Sequence, residues 1–188
     1  MKKLNKLRLI VLHRLSNTLK RLQLMPFGFR TERSTVIAWS VSADGGGNNG
    51  QIIVGANSML DKGVILRAYG NIISIGNNCT IHPYSIVQGG GKIIIGNGVR
   101  IASHTSITAS NHIYDDSSKM IYLQGESHVG IIIEDDVWIG AGARILDGVT
   151  VSKGTVVGAG AVITRSTEPY SVVVGNPGRV IKSRKNNA

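Results

Sequence analysis

The chain has 188 residues, of which 42% are hydrophobic, only 5% are aromatic and 24 are glycine. This length suits one domain with an appended segment, and an aliphatic composition poor in aromatic residues argues against a core packed around large rings. The net charge of +10 favours anionic partners, but the basic residues concentrate at the two ends without an aromatic–basic pattern, so we expect no nucleic-acid binding.

The single cysteine, Cys79, excludes an internal disulfide and is interpreted as a buried small hydrophobic residue. This is consistent with a reducing, cytoplasmic setting. No apolar run is long enough to span a membrane, and the N-terminus lacks the uninterrupted apolar core of a secretory signal. The sequence therefore predicts a cytoplasmic protein.

Residues 1–23 predict an amphipathic helix, because apolar residues recur at steps of three and four among many lysines and arginines. The apolar positions are Leu4, Leu7, Val11, Leu15, Leu19 and Leu22. Pro26 and Gly28 end this segment, and helix and connector together occupy residues 1–35. Two interpretations stay open: a packing helix that covers the end of the following domain, or an in-plane helix that makes peripheral contact with an acidic membrane surface through residues 1–25.

Residues 36–182 predict one repetitive domain. Variants of a single aliphatic phrase recur, with key residues Val54, Ile75, Ile95 and Ile133. From Ile133 to Thr164 an aliphatic residue occurs at every sixth position, and turn residues, often glycine, lie between these aliphatic residues. A short strand and a corner repeated every six residues predict a three-sided coil, and stacked coils form an all-β solenoid with a column of Ile and Val as its core.

The regular spacing breaks once. A polar segment at about residues 108–130 separates the coil of Ile95 from that of Ile133, and a long loop on a rigid scaffold is where function concentrates. The segment contains His112, whose imidazole suits general-base work at neutral pH. Residues 183–188 are expected to be a solvated basic tail.

Four pieces of the chain resemble a known family: SNHIYD in the loop, VWIGAGA (Val137 to Ala143), VVGAGAVITR (Val156 to Arg165) and VVVGNPGRVIK (Val172 to Lys182). They resemble the hexapeptide-repeat acyltransferases with a left-handed parallel β-helix, and within them the sugar and polysaccharide O-acetyltransferases, which include galactoside and maltose acetyltransferases. The resemblance implies transfer of an acetyl group from acetyl-CoA to a saccharide hydroxyl, without a metal. It also implies a homotrimer with active sites between subunits.

The same resemblance nominates site residues. It implies that His112, preceded by Asn111, is the general base, while the carboxylate that orients it stays open among Asp115, Asp116 and Glu126. His82, Tyr84 and Asn111 are candidates for contacts with the acceptor, although the family usually has asparagine near the place of His82. The residues implied in acetyl-CoA binding are Trp138, Ala141, Gly142, Ala159, Thr164, Arg165, Arg179 and Lys182.

Two alternatives keep the fold and change the function. A zinc enzyme like the γ-class carbonic anhydrases would use three histidines, for which His82, His104 and His112 are available, but their spacing does not resemble that family's pattern. A non-catalytic scaffold is the other alternative. His128, near the end of the loop, is interpreted as a surface residue.

Overall fold

The computed structural model describes residues 15–47 and 49–185. The described part opens with a helix, residues 15–24, which is followed by a 3-10 turn, Met25–Phe27. A second 3-10 turn, Ile121–Leu123, lies in the loop. Gly28, with φ of 75°, ends the first turn and donates its N–H to Met25 O. A Cβ at Gly28 would lie 2.2 Å from Gly50 O, so only glycine fits where the chain enters the β domain.

Every strand is two to five residues long, as a chain that turns every six residues requires. In chain order, the strands are β1 (Phe29–Thr31), β2 (Val36–Ile37), β3 (Ser42–Asp44), β4 (Gln51–Val54), β5 (Met59–Leu60), β6 (Ile65–Arg67), β7 (Ile72–Ile75), β8 (Thr80–Ile81), β9 (Ile86–Gln88), β10 (Ile93–Ile95), β11 (Arg100–Ile101), β12 (Ser106–Thr108), β13 (Asn111–His112), β14 (Glu126–Ser127), β15 (Ile131–Ile133), β16 (Trp138–Ile139), β17 (Arg144–Ile145), β18 (Thr150–Val151), β19 (Val156–Val157), β20 (Val162–Ile163), β21 (Ser171–Val174) and β22 (Arg179–Ser183).

Three parallel sheets form the sides of a triangular coil. The first side contains β1, β4, β7, β10, β15 and β18; the second contains β2, β5, β8, β11, β16, β19, β21 and β22; the third contains β3, β6, β9, β12, β17 and β20. Only β22 departs from the parallel order, since it folds back antiparallel to β21. The first, second and third corners are the turns that follow the strands of the first, second and third sides, respectively. The architecture is the left-handed parallel β-helix of hexapeptide repeats that the sequence predicts.

The core is a stack of aliphatic layers, because the strands pair in register from coil to coil. Ile95 pairs with Ile75 on one side and with Ile133 on the other, and all three are at most 2% exposed. The second and third sides repeat the pattern with Ile101 against Ile139 and Ile107 against Ile145. Cys79 is buried as expected, and burial raises the pKa of its thiol.

Both boundaries of the β domain differ from the sequence-based ones. β1 lies within the segment assigned to helix and connector, so the β-helix starts at Phe29 instead of residue 36. The hexad search missed this strand because an aromatic residue, 1% exposed, takes the place of the usual aliphatic one. At the other end, Ser183 belongs to β22, and Arg184 is exposed as expected but is also held in place, since its guanidinium donates to Gly154 O at 2.6 Å.

The irregular segment leaves the third corner after β12 and returns to the first side at β15. Its base is a two-residue antiparallel ladder between β13 and β14. Asp147, in the next coil, fixes the return: its two carboxylate oxygens accept the N–H groups of Val129 and Gly130 at 3.0 and 2.8 Å. The loop is therefore an insertion between two coils that still pair directly with each other.

Residues 15–24 cover the open first coil, but not with their apolar face. Asn17, Lys20 and Leu24 are 5–8% exposed, and Asn17 Oδ1 accepts the N–H of Ile37 at 3.0 Å. Arg21 donates to the carbonyls of Arg33 and Thr35. The leucines at 15, 19 and 22 are 55–58% exposed. Residues 1–14, which carry the rest of the predicted helix, lie outside the described residues.

Candidate active site

The imidazole of His112 lies at the base of the loop, on β13, and Glu126 lies opposite it on β14. His112 Nδ1 is 3.7 Å from Glu126 Oε1, an electrostatic contact slightly longer than a hydrogen bond. The ladder explains the proximity, because directly opposed residues of an antiparallel pair have neighbouring side chains. The imidazole is 62% exposed, so a second molecule can reach it.

The other two candidate carboxylates do not face His112. Asp116 is held within its own turn, where it pairs with Lys119 Nζ at 2.8 Å and accepts the hydroxyl of Ser118 at 2.6 Å. The bonds from Lys119 and Ser118 hold the pKa of the Asp116 carboxyl below its ordinary value. Asp115 is exposed. Of the three candidates, Glu126 is the one that the structure brings to the imidazole.

His128 is a second histidine beside the same carboxylate. Its Nε2 lies 3.8 Å from Glu126 Oε2, and its ring covers Gly90, where a Cβ would approach the imidazole to 2.7 Å. The side chain is 43% exposed, so it is a surface residue with a specific neighbour. Glu126 thus lies between two imidazoles.

Two of the three acceptor candidates lie at a different corner from His112. His82 and Tyr84 follow β8 at the second corner, whereas Asn111 and His112 belong to the loop at the third corner. Tyr84 and His104 adopt left-handed backbone conformations there, and their rings stack with centroids 5.5 Å apart. His82 Nδ1 lies 3.9 Å from Asp61 Oδ2. One chain therefore divides the acceptor candidates between two corners.

The second corner continues along the solenoid axis with Ala141–Gly142 and Ala159–Gly160. Backbone hydrogen bonds link successive coils there, from Gly142 N–H to Ser103 O at 3.0 Å and from Gly160 N–H to Ala141 O at 2.8 Å. Both alanines are exposed, and both glycines have φ near 70°. Small side chains thus leave the backbone of this edge accessible to a long, amide-bearing molecule.

A groove of about 540 Å³ lies over the outer face of the second side, where Gly98 and Asp136 of the first corner also line it. Trp138, 55% exposed, forms its floor with Val156 and Val172, which follow it in register. Its cations are Arg100, Lys182 and Arg184, opposed by the single carboxylate of Asp136. The chemistry of this groove, apolar with an excess of positive charge, suits a phosphate-bearing molecule with an apolar arm.

Sequence reasoning named Trp138 and Lys182 but missed Arg100 and Arg184. The signal for Arg100 was available, because Arg100 pairs with Trp138 at an outward position of adjacent coils. Arg184 carried no such signal, since it follows the last repeat. The remaining predicted donor contacts are exposed: Thr164 and Arg165 follow β20, and Arg179 starts β22.

The histidines considered for zinc do not form one cluster within the chain. His82 and His104 occupy the second corner and His112 the loop at the third. Among the residues that the structure describes, no group of three His, Cys, Asp or Glu side chains is arranged to hold a metal ion.

The repeats match a known family. Residues 130–165 fit the profile described as bacterial transferase hexapeptide (six repeats), and 36% of 109 residues are identical to chloramphenicol acetyltransferase from Klebsiella aerogenes. Residues 130–165 therefore carry the repeats of this hexapeptide family. The match with the Klebsiella enzyme covers 50% of this hexapeptide-repeat chain and 52% of that enzyme, so the chain spans about half the length of that relative.

Two solved hexapeptide-repeat structures agree over more of the chain. AntD, an N-acyltransferase from Bacillus cereus in complex with dTDP and 3-hydroxybutyryl-CoA, superposes with a TM-score of 0.74 at 26% identity, covering 87% of this chain and 88% of AntD. NeuO, a polysialic-acid-specific acetyltransferase, superposes with a TM-score of 0.71 at 27% identity, covering 85% of this chain and 70% of NeuO. The similarity thus extends well beyond the matched repeats.

Proposed function

We propose that this hexapeptide-repeat protein is an acyltransferase that moves an acetyl group from acetyl-CoA to a hydroxyl of a saccharide, such as a surface polysaccharide or its precursor. The observation that carries the proposal is an exposed imidazole, His112, beside the carboxylate of Glu126 on the one loop that interrupts the solenoid. The names of the relatives support the reaction class, since AntD was solved with an acyl-CoA and NeuO acetylates a polymeric sugar.

In the proposed reaction, Glu126 holds the Nδ1–H tautomer of His112, so Nε2 is the nitrogen that accepts a proton. As the acceptor oxygen attacks the thioester carbonyl, His112 takes the hydroxyl proton. The tetrahedral intermediate collapses, the C–S bond breaks, and the CoA sulfur leaves with the proton from the imidazolium. The carboxylate of Glu126 stabilises that imidazolium. The steps need no covalent enzyme intermediate.

The donor is proposed to lie along the second corner and the groove on the second side. The accessible backbone at Ala141, Gly142 and Ala159 suits hydrogen bonds with the amides of the pantetheine arm, while Trp138 covers its apolar part. Arg165, Arg179 and Lys182 are candidates for the phosphates, since each has an exposed cationic side chain. Thr164 lies beside Arg165 and is proposed to contact the nucleotide.

A complete site is proposed to need two subunits of a homotrimer. In one chain, His112 and Asn111 belong to the third corner, while His82, Tyr84 and the donor edge belong to the second. The loop also presents exposed apolar side chains, with Tyr114, Met120, Tyr122 and Leu123 at 62–72% exposure. A neighbouring solenoid that covers this apolar loop would bring its own second corner to His112.

The test is release of CoA from acetyl-CoA in the presence of a panel of saccharides. We expect His112→Ala to lower kcat by about 10²–10⁴, the range that general-base catalysis contributes. His128→Asn is the matched control on the same loop and should retain most of the activity. Undiminished turnover by His112→Ala would show that another group is the base.

The acceptor atom needs its own comparison, because AntD is an N-acyltransferase and one of its mutants was solved with dTDP-4-amino-4,6-dideoxyglucose. The saccharide panel should therefore include amino sugars and dTDP-linked amino sugars beside neutral polysaccharides. We expect alkali-labile O-acetyl esters as products. Turnover only with amino sugars, giving an alkali-stable amide, would replace the O-acetyl proposal with N-acyl transfer.

A further inference from the structure

The N-terminal end of the molecule combines apolar and basic surface in a way that the proposed reaction does not use. Leu15, Leu19 and Leu22 form a stripe on one face of the helical residues, each 55–58% exposed, and Met25 and Phe27 extend it at 60% and 50%. We name these five residues the apolar stripe. Within residues 15–47 and 49–185 it has no packing partner, because the helix packs on the solenoid through Asn17, Lys20, Arg21 and Leu24 instead.

A half-open cavity of about 1050 Å³ lies next to the apolar stripe. Leu22 and Met25 reach it from the stripe, and Arg21, Arg30 and Arg33 line it with positive charge. Arg21 Nε is buried and has no hydrogen-bond partner. Burial, and then the nearby Arg33 guanidinium, lowers the pKa of Arg21. Unmet donors and mutually repelling guanidinium groups are chemistry that an anionic oxygen would satisfy.

The charge of the chain concentrates at this end. Residues 1–43 contain nine of the 21 lysines and arginines but only one of the 11 acidic residues, Glu32, which gives them a net charge of +8. The other 145 residues have 12 basic and 10 acidic side chains, a net charge of +2. A positive segment next to exposed leucines complements a surface that is negative outside and apolar beneath.

We propose that the apolar stripe and the adjoining arginine cavity dock this protein on an anionic lipid surface, with leucine side chains among the acyl chains and the exposed Arg30 and Arg33 facing headgroup phosphates. The helix then lies in the plane of the interface, and its polar face keeps it attached to the first coil. No helix in residues 15–47 and 49–185 has the length and hydrophobicity needed to traverse a bilayer. This docking is independent of the identity of the acceptor.

The test is co-sedimentation of the full chain with vesicles of phosphatidylcholine alone or with one quarter phosphatidylglycerol. We expect binding to the anionic vesicles only, and weaker binding as salt rises. Leu19→Glu with Leu22→Glu should lower the affinity at least about tenfold, because two charged side chains replace inserted leucines. Arg30→Gln with Arg33→Gln should lower it to a smaller extent and reduce the salt dependence.

Matched controls are Ile132→Glu, an exposed apolar residue on the first side, and Lys153→Gln, an exposed cation of the solenoid. Both should bind vesicles like the unaltered chain, and circular dichroism should show that every variant is folded. Equal binding of the leucine variant and the unaltered chain would overturn the proposal.

Two further outcomes would also overturn it. In the first, the unaltered chain does not bind anionic vesicles, and the leucine variant has a lower oligomeric state than the unaltered chain in sedimentation velocity. The apolar stripe would then be a contact between subunits. If inorganic phosphate at matched ionic strength raises the melting temperature while vesicles do not bind, the arginine cavity takes a free phosphate instead of a lipid headgroup.

Discussion

The carboxylate of Glu126 lies 3.7 Å from His112 Nδ1 and 3.8 Å from His128 Nε2. Both histidines are partly exposed, so solvent weakens these contacts and they contribute little to stability. In the proposed reaction their value is positional, because Glu126 would select one tautomer and one ring orientation for His112. Sequence alone could not select Glu126 from three carboxylates, since the choice depends on which residues oppose each other in the loop's ladder.

We expect Glu126→Gln to lower kcat about tenfold or more and to leave KM for acetyl-CoA nearly unchanged, because the glutamine no longer stabilises the imidazolium. Glu126→Asp should restore part of the loss. Steady-state kinetics with both substrates varied gives the kcat and KM values. Asp115→Asn removes an exposed carboxylate of the same loop and is the control. An equal loss in Asp115→Asn, or a change confined to KM, would contradict a positioning role for Glu126.

At the scale of elements, a few polar contacts help to hold the N-terminal helix against the first coil. Asn17, 8% exposed, accepts the buried N–H of Ile37 at 3.0 Å. We expect Asn17→Ala to lower the free energy of unfolding by about 1–3 kcal/mol, since this N–H would be left without a partner. Urea denaturation measures the change.

Leu19→Ala is the comparison for that measurement, because Leu19 is on the same helix and is 56% exposed. It should change the free energy of unfolding by no more than about 0.5 kcal/mol. If Leu19→Ala lowers the free energy of unfolding more than Asn17→Ala does, the leucine face is the one that packs on the first coil. The polar packing of the helix described above would then be wrong.

The elements differ in how well the sequence predicts them. Hexads from Val54 onward are readable because an inward aliphatic residue every sixth position leaves few alternatives for burial. The coil of Phe29 escapes that search since its core residue is aromatic. The sequence does not predict how the helix packs, because the leucine periodicity indicates an apolar face but not whether that face contacts the solenoid. The fold of the loop follows from long-range contacts, such as Asp147 with Val129 and Gly130, which no local pattern contains.

At the scale of the whole molecule, the proposed division of the active site between two corners predicts complementation between inactive subunits. His112→Ala removes the proposed base from the loop. Ala159→Trp blocks the donor edge, and because Ala159 is exposed the larger ring leaves the core intact. Each variant alone should be inactive. If trimers are mixed at random from equal amounts, about a quarter of the sites combine an unaltered loop with an unaltered edge.

Co-refolding the two variants and measuring CoA release checks this prediction. Restored activity of about a quarter of the unaltered level would support sites shared by neighbouring subunits. A mixture as inactive as its components, with trimers verified by sedimentation, would mean that loop and edge act within one chain. The control is each variant refolded alone at the same total concentration.

The direct pairing of Ile95 with Ile133 has a consequence for engineering and for divergence. The loop between residues 109 and 130 can be exchanged as a unit, because the coils on either side of it pair directly and Asp147 fixes its return. The stacked repeats and the proposed base, His112, thus lie in separate parts of the chain. A graft of a relative's loop between residues 109 and 130 is expected to fold on the unchanged repeats, provided that the graft keeps the two N–H groups that Asp147 binds.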